Sequence, residues 1–276
     1  MTRPPIIFLH LPKASGTTFR YIIDREYGAS NVLNIPVYGV PVEELLDRLG
    51  PARLAEYNAV VGHVPFGIAR YFGPAFRYVT IVRDPVERAI SRYYHILRRG
   101  PDVRQYDYIV RNRMSAVDFA LSDFETQVDN GQTRLLAGFD YRAPRIPVGG
   151  LNQTHLEKAL ANLESISVVG TSDRFDSTLV LLRREFGWRL PLYVKENTTK
   201  RPAEAGLTET ERSAIRERNA FDEELYRRAS ARLLRDCRAS GPGFEIELRA
   251  FRSVNITAGH ARGLARRLSR TGRAGS

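Results

Sequence analysis

The chain has 276 residues, 43% of them hydrophobic and 26% charged, which suits a full globular core and excludes a low-complexity or fibrous chain. A formal net charge of +11 implies anionic partners: a nucleotide, an acidic polymer, nucleic acid or a membrane surface. A single cysteine, Cys237, excludes an internal disulfide framework, and no apolar run approaches the roughly 20 residues of a spanning helix.

Ile6 to Leu9 opens the chain with the length and β-branched content of a buried strand. Reaching this strand within a few residues sets the expectation that no cleavable signal is present. With the lone cysteine, it sets the expectation of a reducing, cytoplasmic setting. Pro12 stops the strand, small residues follow from Ala14 to Thr18, and a helical pattern starts around Phe19. A strand, a small-residue loop and a helix N-terminus make an anion cradle, because free backbone N–H groups and the positive end of the helix dipole converge there. Lys13 adds a compact charge, and Ser15, Thr17 and Thr18 add hydroxyl donors. Of 42 basic residues only four are lysine (Lys13, Lys158, Lys195 and Lys200), so a lysine inside this loop points to a requirement for an ammonium. An ordinary strand-to-helix turn is the plain alternative. The lysine precedes the glycine, unlike the GxxxxGK[ST] triphosphate loop, and no carboxylate is evidently placed for Mg²⁺. The expectation is a phosphorylated ligand handled without a metal.

After an irregular stretch from Asn31 to Tyr38, "PVEELLDRLG" reads as a short helix with Pro41 at its start and Gly50 as its stop. Ala59 to His63 is a second strand ending at His63. Phe76 to Val82 is a third, running into Arg83. Asp84, Pro85 and Glu87 form a helix start, and that helix continues to Gly100. Strands alternating with helices predict a parallel sheet whose ligands gather at the strand C-terminal ends. Lys13, His63 and Arg83 then share one sheet edge. Ser91, seven residues past Asp84, lies on nearly the same helix face and can join Arg83 on one phosphate. Taken singly, a helix-surface serine and a cap-region arginine explain these two residues equally well.

Residues 101–165 have the character of a helical insertion around a substrate cleft. Ser115 and Asp118 cap one helix, and a box at Thr154–Glu157 opens another after a Pro/Gly-rich loop from Arg142 to Gly150. Ile166 to Gly170 is a fourth strand, and Asp176 to Phe186 an amphipathic helix closed by Gly187. A loop with Lys195 and Lys200 follows. Thr208 to Glu211 then caps a long helical region reaching about Arg238. From about Arg252 the composition turns to Arg, Gly and Ser without apolar periodicity, which predicts a disordered basic tail with a capacity for peripheral membrane association.

Three motifs in this order, "HLPKASGTTF", "VVGHVPFG" and "FRYVTIVRDPVERAISRYYH", resemble the carbohydrate sulfotransferases of the heparan-sulfate 2-O-sulfotransferase-like family. The likeness is strong over residues 6–100 and looser through "NGQTRLLAG" and "ENTTKRP" to about residue 235. It implies an α/β, P-loop-like three-layer fold with a central parallel sheet flanked by helices. Residues 1–250 would form the sulfotransferase domain, with 101–165 as the insertion near the acceptor and 251–276 as the tail. It implies 3′-phosphoadenosine 5′-phosphosulfate (PAPS) as donor, a carbohydrate or polysaccharide acceptor and no metal. By the same resemblance Lys13, Ala14, Ser15, Gly16, Thr17 and Thr18 hold the 5′-phosphosulfate, and Arg83 and Ser91 the 3′-phosphate. Lys200 and Arg201 add donor contacts, His63 is the base, and Lys13 stabilises the leaving group. The family's second histidine, two positions before the base, is Val61 here; His10 reads as structural or loop-orienting. A small-molecule kinase on the same cradle and a non-enzymatic polyanion-binding module remain as rival readings.

Overall fold

The computed structural model describes residues 3–36, 39–140, 142, 146–189, 191–193 and 206–271, with side chains to Thr257. Lys195, Lys200 and Arg201, together with 272–276, lie outside the described residues.

Five strands form one parallel sheet: β1 (Ile6–Leu9), β2 (Val32–Asn34), β3 (Ala59–Gly62), β4 (Arg77–Val82) and β5 (Val168–Thr171), in the order β2-β3-β1-β4-β5. The runs are short and apolar because a parallel sheet covered on both faces buries every side chain, and β1, β3 and β5 are buried throughout. Strand β2 lies inside the stretch that reads as irregular. It is an edge strand of three residues, joined by its backbone to β3 in the register Val32 to Ala59.

The helices are α1 (Gly16–Tyr27), α2 (Val42–Leu54), α3 (Pro85–Arg99), α4 (Arg104–Arg111), α5 (Ala116–Leu121), α6 (Gly131–Leu136), α7 (Gln153–Ser165), α8 (Phe175–Phe186), α9 (Glu209–Arg218), α10 (Ala220–Ala239) and α11 (Gly243–Thr271). Most start where the caps predict. Asp84 accepts from the Glu87 N–H at 2.8 Å, and Ser115 and Thr208 each close a reciprocal box. Gly50 does break α2, with φ 71° and ψ 162°, but one further turn follows it. The cap of α7 is Asn152, paired with His155, two residues before the predicted one. The long C-terminal helical region is two helices broken at Asn219, whose side chain instead accepts from the Asn130 N–H at 3.0 Å. The backbone stays helical to Thr271, where disorder was expected from 251 onward. Phe244, Leu248 and Phe251 anchor the start of α11 in the same core as β1.

A buried polar knot ties the second half of the chain to the end of β4. Gln132, fully buried, accepts from the Arg83 N–H at 2.9 Å and donates to its carbonyl at 2.8 Å. The Asp222 carboxylate, also fully buried, accepts from the N–H groups of Gln132 (3.1 Å) and Thr133 (2.8 Å), the Thr133 hydroxyl (2.8 Å) and Arg88 (3.3 Å). Removing one partner of such a cluster strands the others without water. Asp222→Ala is therefore expected to lower stability by about 3–5 kcal/mol, read as a shift in denaturant midpoint. A loss below about 1 kcal/mol, the size of a single ordinary hydrogen bond, would overturn this account.

Candidate active site

Because β1 lies between β3 and β4, the loop after it emerges with the exit of β3 on one side and the exit of β4 on the other. Lys13, His63 and Arg83 thus meet at the C-terminal edge of the sheet, where the order of crossovers opens a crevice. They line a single cleft of about 1220 Å³ together with Ser91. A pocket for one small ligand is typically about 300–1,000 Å³, so this cleft has room for a nucleotide and a second substrate.

The loop is held in an unusual conformation. Lys13 (φ 66°) and Ser15 (φ 59°) are both left-handed without being glycine, at a cost of about 1–3 kcal/mol each. The first-turn N–H groups of α1 are left without an intrahelical partner. The first helical bond runs from the Phe19 N–H to the Ser15 carbonyl at 3.2 Å, and no side chain caps the turn. Ser15, Gly16, Thr17 and Thr18 line the cleft. Ala14 does not, since its side chain is in the core and its N–H donates to the Leu11 carbonyl at 3.2 Å. Gly16 is required by close approach: a Cβ there would fall inside the His10 ring.

Arg83 reaches back across the cleft and donates from Nη1 to the Lys13 carbonyl at 2.8 Å, so the β4 exit braces the loop. Ser91, almost buried on α3, sits two turns below the Asp84 cap as helical spacing requires. Beside it, Arg92 is held bidentately by Glu125 at 2.8 and 3.0 Å, and Gln105 donates to the same carboxylate at 2.8 Å. On the other wall, Arg142 donates to the carbonyls of His63 (2.9 Å) and Pro36 (2.7 Å) and to Asp140 (2.9 Å). Arg92, Glu125 and Arg142 are site residues that sequence reasoning missed. Only Arg92 left a signal there, as the neighbour of Ser91 on α3.

Among the described residues, seven lysine and arginine side chains line the cleft against four carboxylates. This excess charge disfavours further protonation. Burial, then Arg98, Arg92 and Arg83, lower the Lys13 pKa to about 8. Burial and the nearby Lys13 and Arg20 lower His10 to about 4. His63 is driven well below the usual histidine range by burial, then by His10, Arg142, Arg92 and Lys13. His95, on α3, falls to about 4 through burial and the cations around it. A strongly cationic cleft with neutral imidazoles is matched to an anionic ligand and to proton acceptance.

No family model matches the chain. Heparan-sulfate 6-O-sulfotransferase 1 of Homo sapiens is 26% identical over 271 residues, covering 80% of this chain and 63% of the relative. The Gallus gallus protein of the same name is 25% identical, covering 80% and 64%. Heparan-sulfate 6-O-sulfotransferase 3-B of Danio rerio is 24% identical over 261 residues, covering 80% and 62%. This chain is similar to heparan-sulfate sulfotransferases. It spans somewhat less than two thirds of these relatives' length. The relatives carry a 6-O name, which corrects the 2-O family that the motifs resemble; sulfuryl transfer to carbohydrate is common to both.

Proposed function

We propose that the protein transfers a sulfuryl group from PAPS to a carbohydrate hydroxyl, and that residues 1–250 form the sulfotransferase domain. The observation that carries this reading is the meeting of Lys13, the α1 N-terminus, Arg83, Ser91 and His63 in one cationic cleft. The similarity to heparan-sulfate sulfotransferases supports it, and the 6-O names favour a 6-hydroxyl as acceptor. The main core draws on residues from Ile6 to Phe251, which supports one domain and carries it a residue past that limit.

In this mechanism the loop N–H groups and hydroxyls hold the 5′-phosphosulfate, while Arg83 and Ser91 take the 3′-phosphate. His63 accepts the proton of the acceptor hydroxyl as its oxygen bonds to sulfur. The bond from sulfur to the bridging oxygen breaks in line, and Lys13 stabilises the charge left on that oxygen. The products are a sulfate ester and adenosine 3′,5′-bisphosphate.

Calorimetry with adenosine 3′,5′-bisphosphate, AMP and ATP tests the donor. The bisphosphate should bind most tightly, and ATP should not compete with it. Arg83→Ala should weaken the bisphosphate by about 1.5–3 kcal/mol, the worth of a charge-assisted hydrogen bond. AMP should lose less, through the slackened brace on Lys13 alone. Equal losses for both nucleotides would show that Arg83 serves the loop and not the 3′-phosphate. Tighter binding of ATP would favour a kinase.

A further inference from the structure

We propose that His10 is a positioning residue whose ring links the conformation of the anion loop to the orientation of the His63 imidazole. The backbone of His10 is tied to β3, because its N–H donates to the Gly62 carbonyl at 2.9 Å in continuation of the β1–β3 pairing. Its ring stacks on Phe8 at 5.2 Å with planes 12° apart. Against Gly16 it leaves no space for even a Cβ. It also meets the His63 ring, 4.3 Å away between centroids and tilted by 50°. A displacement of the loop at Gly16 therefore pushes on the His10 ring, and that ring lies against the base.

Charge runs along the same path. His10 faces Lys13 and Arg20, and His63 faces His10, Arg142, Arg92 and Lys13, so the charged groups acting on both rings are cationic. Neither ring is helped to hold a proton while its neighbour carries one. An anion in the loop opposes that field at both. This coupling rests on the reading of the loop as the donor site, since that is what makes it respond to substrate.

The test follows histidine resonances in the full chain and in His10→Phe, which keeps a ring of similar size over Gly16 and against Phe8. In ligand-free protein the substitution should move the His63 titration upward, because a neighbouring ionisable ring has gone. An unmoved His63 titration overturns the proposal, whatever the reaction catalysed. Adenosine 3′,5′-bisphosphate, with inorganic phosphate as a second probe, should shift the His63 signals in the unmodified protein. In His10→Phe that shift should fall to less than half, with bisphosphate affinity kept within about threefold. A full ligand-induced shift in the variant likewise overturns the coupling. Failure of both probes to bind the unmodified protein would refute the donor reading, and the ligand-free titration would still decide the role of His10. Turnover in His10→Phe should drop about tenfold or more, with kcat affected and the donor KM nearly unchanged.

Discussion

His63→Ala is expected to lower turnover by about 10²–10⁴-fold, the usual contribution of a general base, with donor affinity almost unchanged. The imidazole lies at the β3 exit, on the opposite side of the loop from Arg83, so its loss removes proton acceptance and leaves the proposed phosphate contacts standing. The pH dependence has a defined sign. A base acts when neutral, so the rate falls as pH drops through its pKa. Burial and the cationic surroundings keep that pKa well below the ordinary histidine range. The acidic limb of kcat/KM for the donor, which reports the free enzyme, should therefore begin below the ordinary histidine range. A folded His63→Ala protein that retains most of its turnover would refute the assignment and direct attention to His10 and to His95 on α3, which also line the cleft.

Lys13→Ala should damage both donor binding and turnover. Loss of a preorganised group facing a developing negative charge typically costs about 10²–10³ in kcat. Lys13 should also give donor binding a basic limit. Its pKa of about 8 in the ligand-free cleft means that the ammonium is lost as pH rises through that value. Donor affinity should fall above it, and binding near pH 8 should take up a proton, measurable by calorimetry in buffers of different ionisation enthalpy. Affinity flat to pH 10 would place the ammonium away from the donor. Lys13→Ala with normal affinity and turnover would remove it from the mechanism.

Much of the candidate site is legible in the sequence, and the reason is local. Strands β1, β3 and β4 are apolar runs with a proline, a histidine or a capped helix at their ends, so their exits, and with them Lys13, His63 and Arg83, can be read from composition and spacing. Strand β2 was not legible, because three residues carry no period and its pairing is all backbone. At α7, Asn152 and Thr154 compete as caps, and His155 is not a usual partner in a capping box. The break at Asn219 has neither Gly nor Pro to announce it, since that residue serves a contact 89 positions away. Gln132 and Arg142 act over separations of 49 and 79 residues, which no local pattern records. In α11, the apolar anchors Phe244, Leu248 and Phe251 start a helix that its polar remainder propagates, because extension costs far less than nucleation.

The bond between Gln132 and the backbone of Arg83, secured in turn by Asp222, also bears on how the protein is made. Most of the residues that would grip the donor leave the ribosome early, within the first hundred positions. The carboxylate that anchors their brace arrives only with α10, 90 residues after Gln132. On the proposed reading, donor capture would come late in biosynthesis, after most of the chain has been translated and folded back. Chains terminated before α10 would carry the whole anion loop yet lack the carboxylate that secures the end of β4.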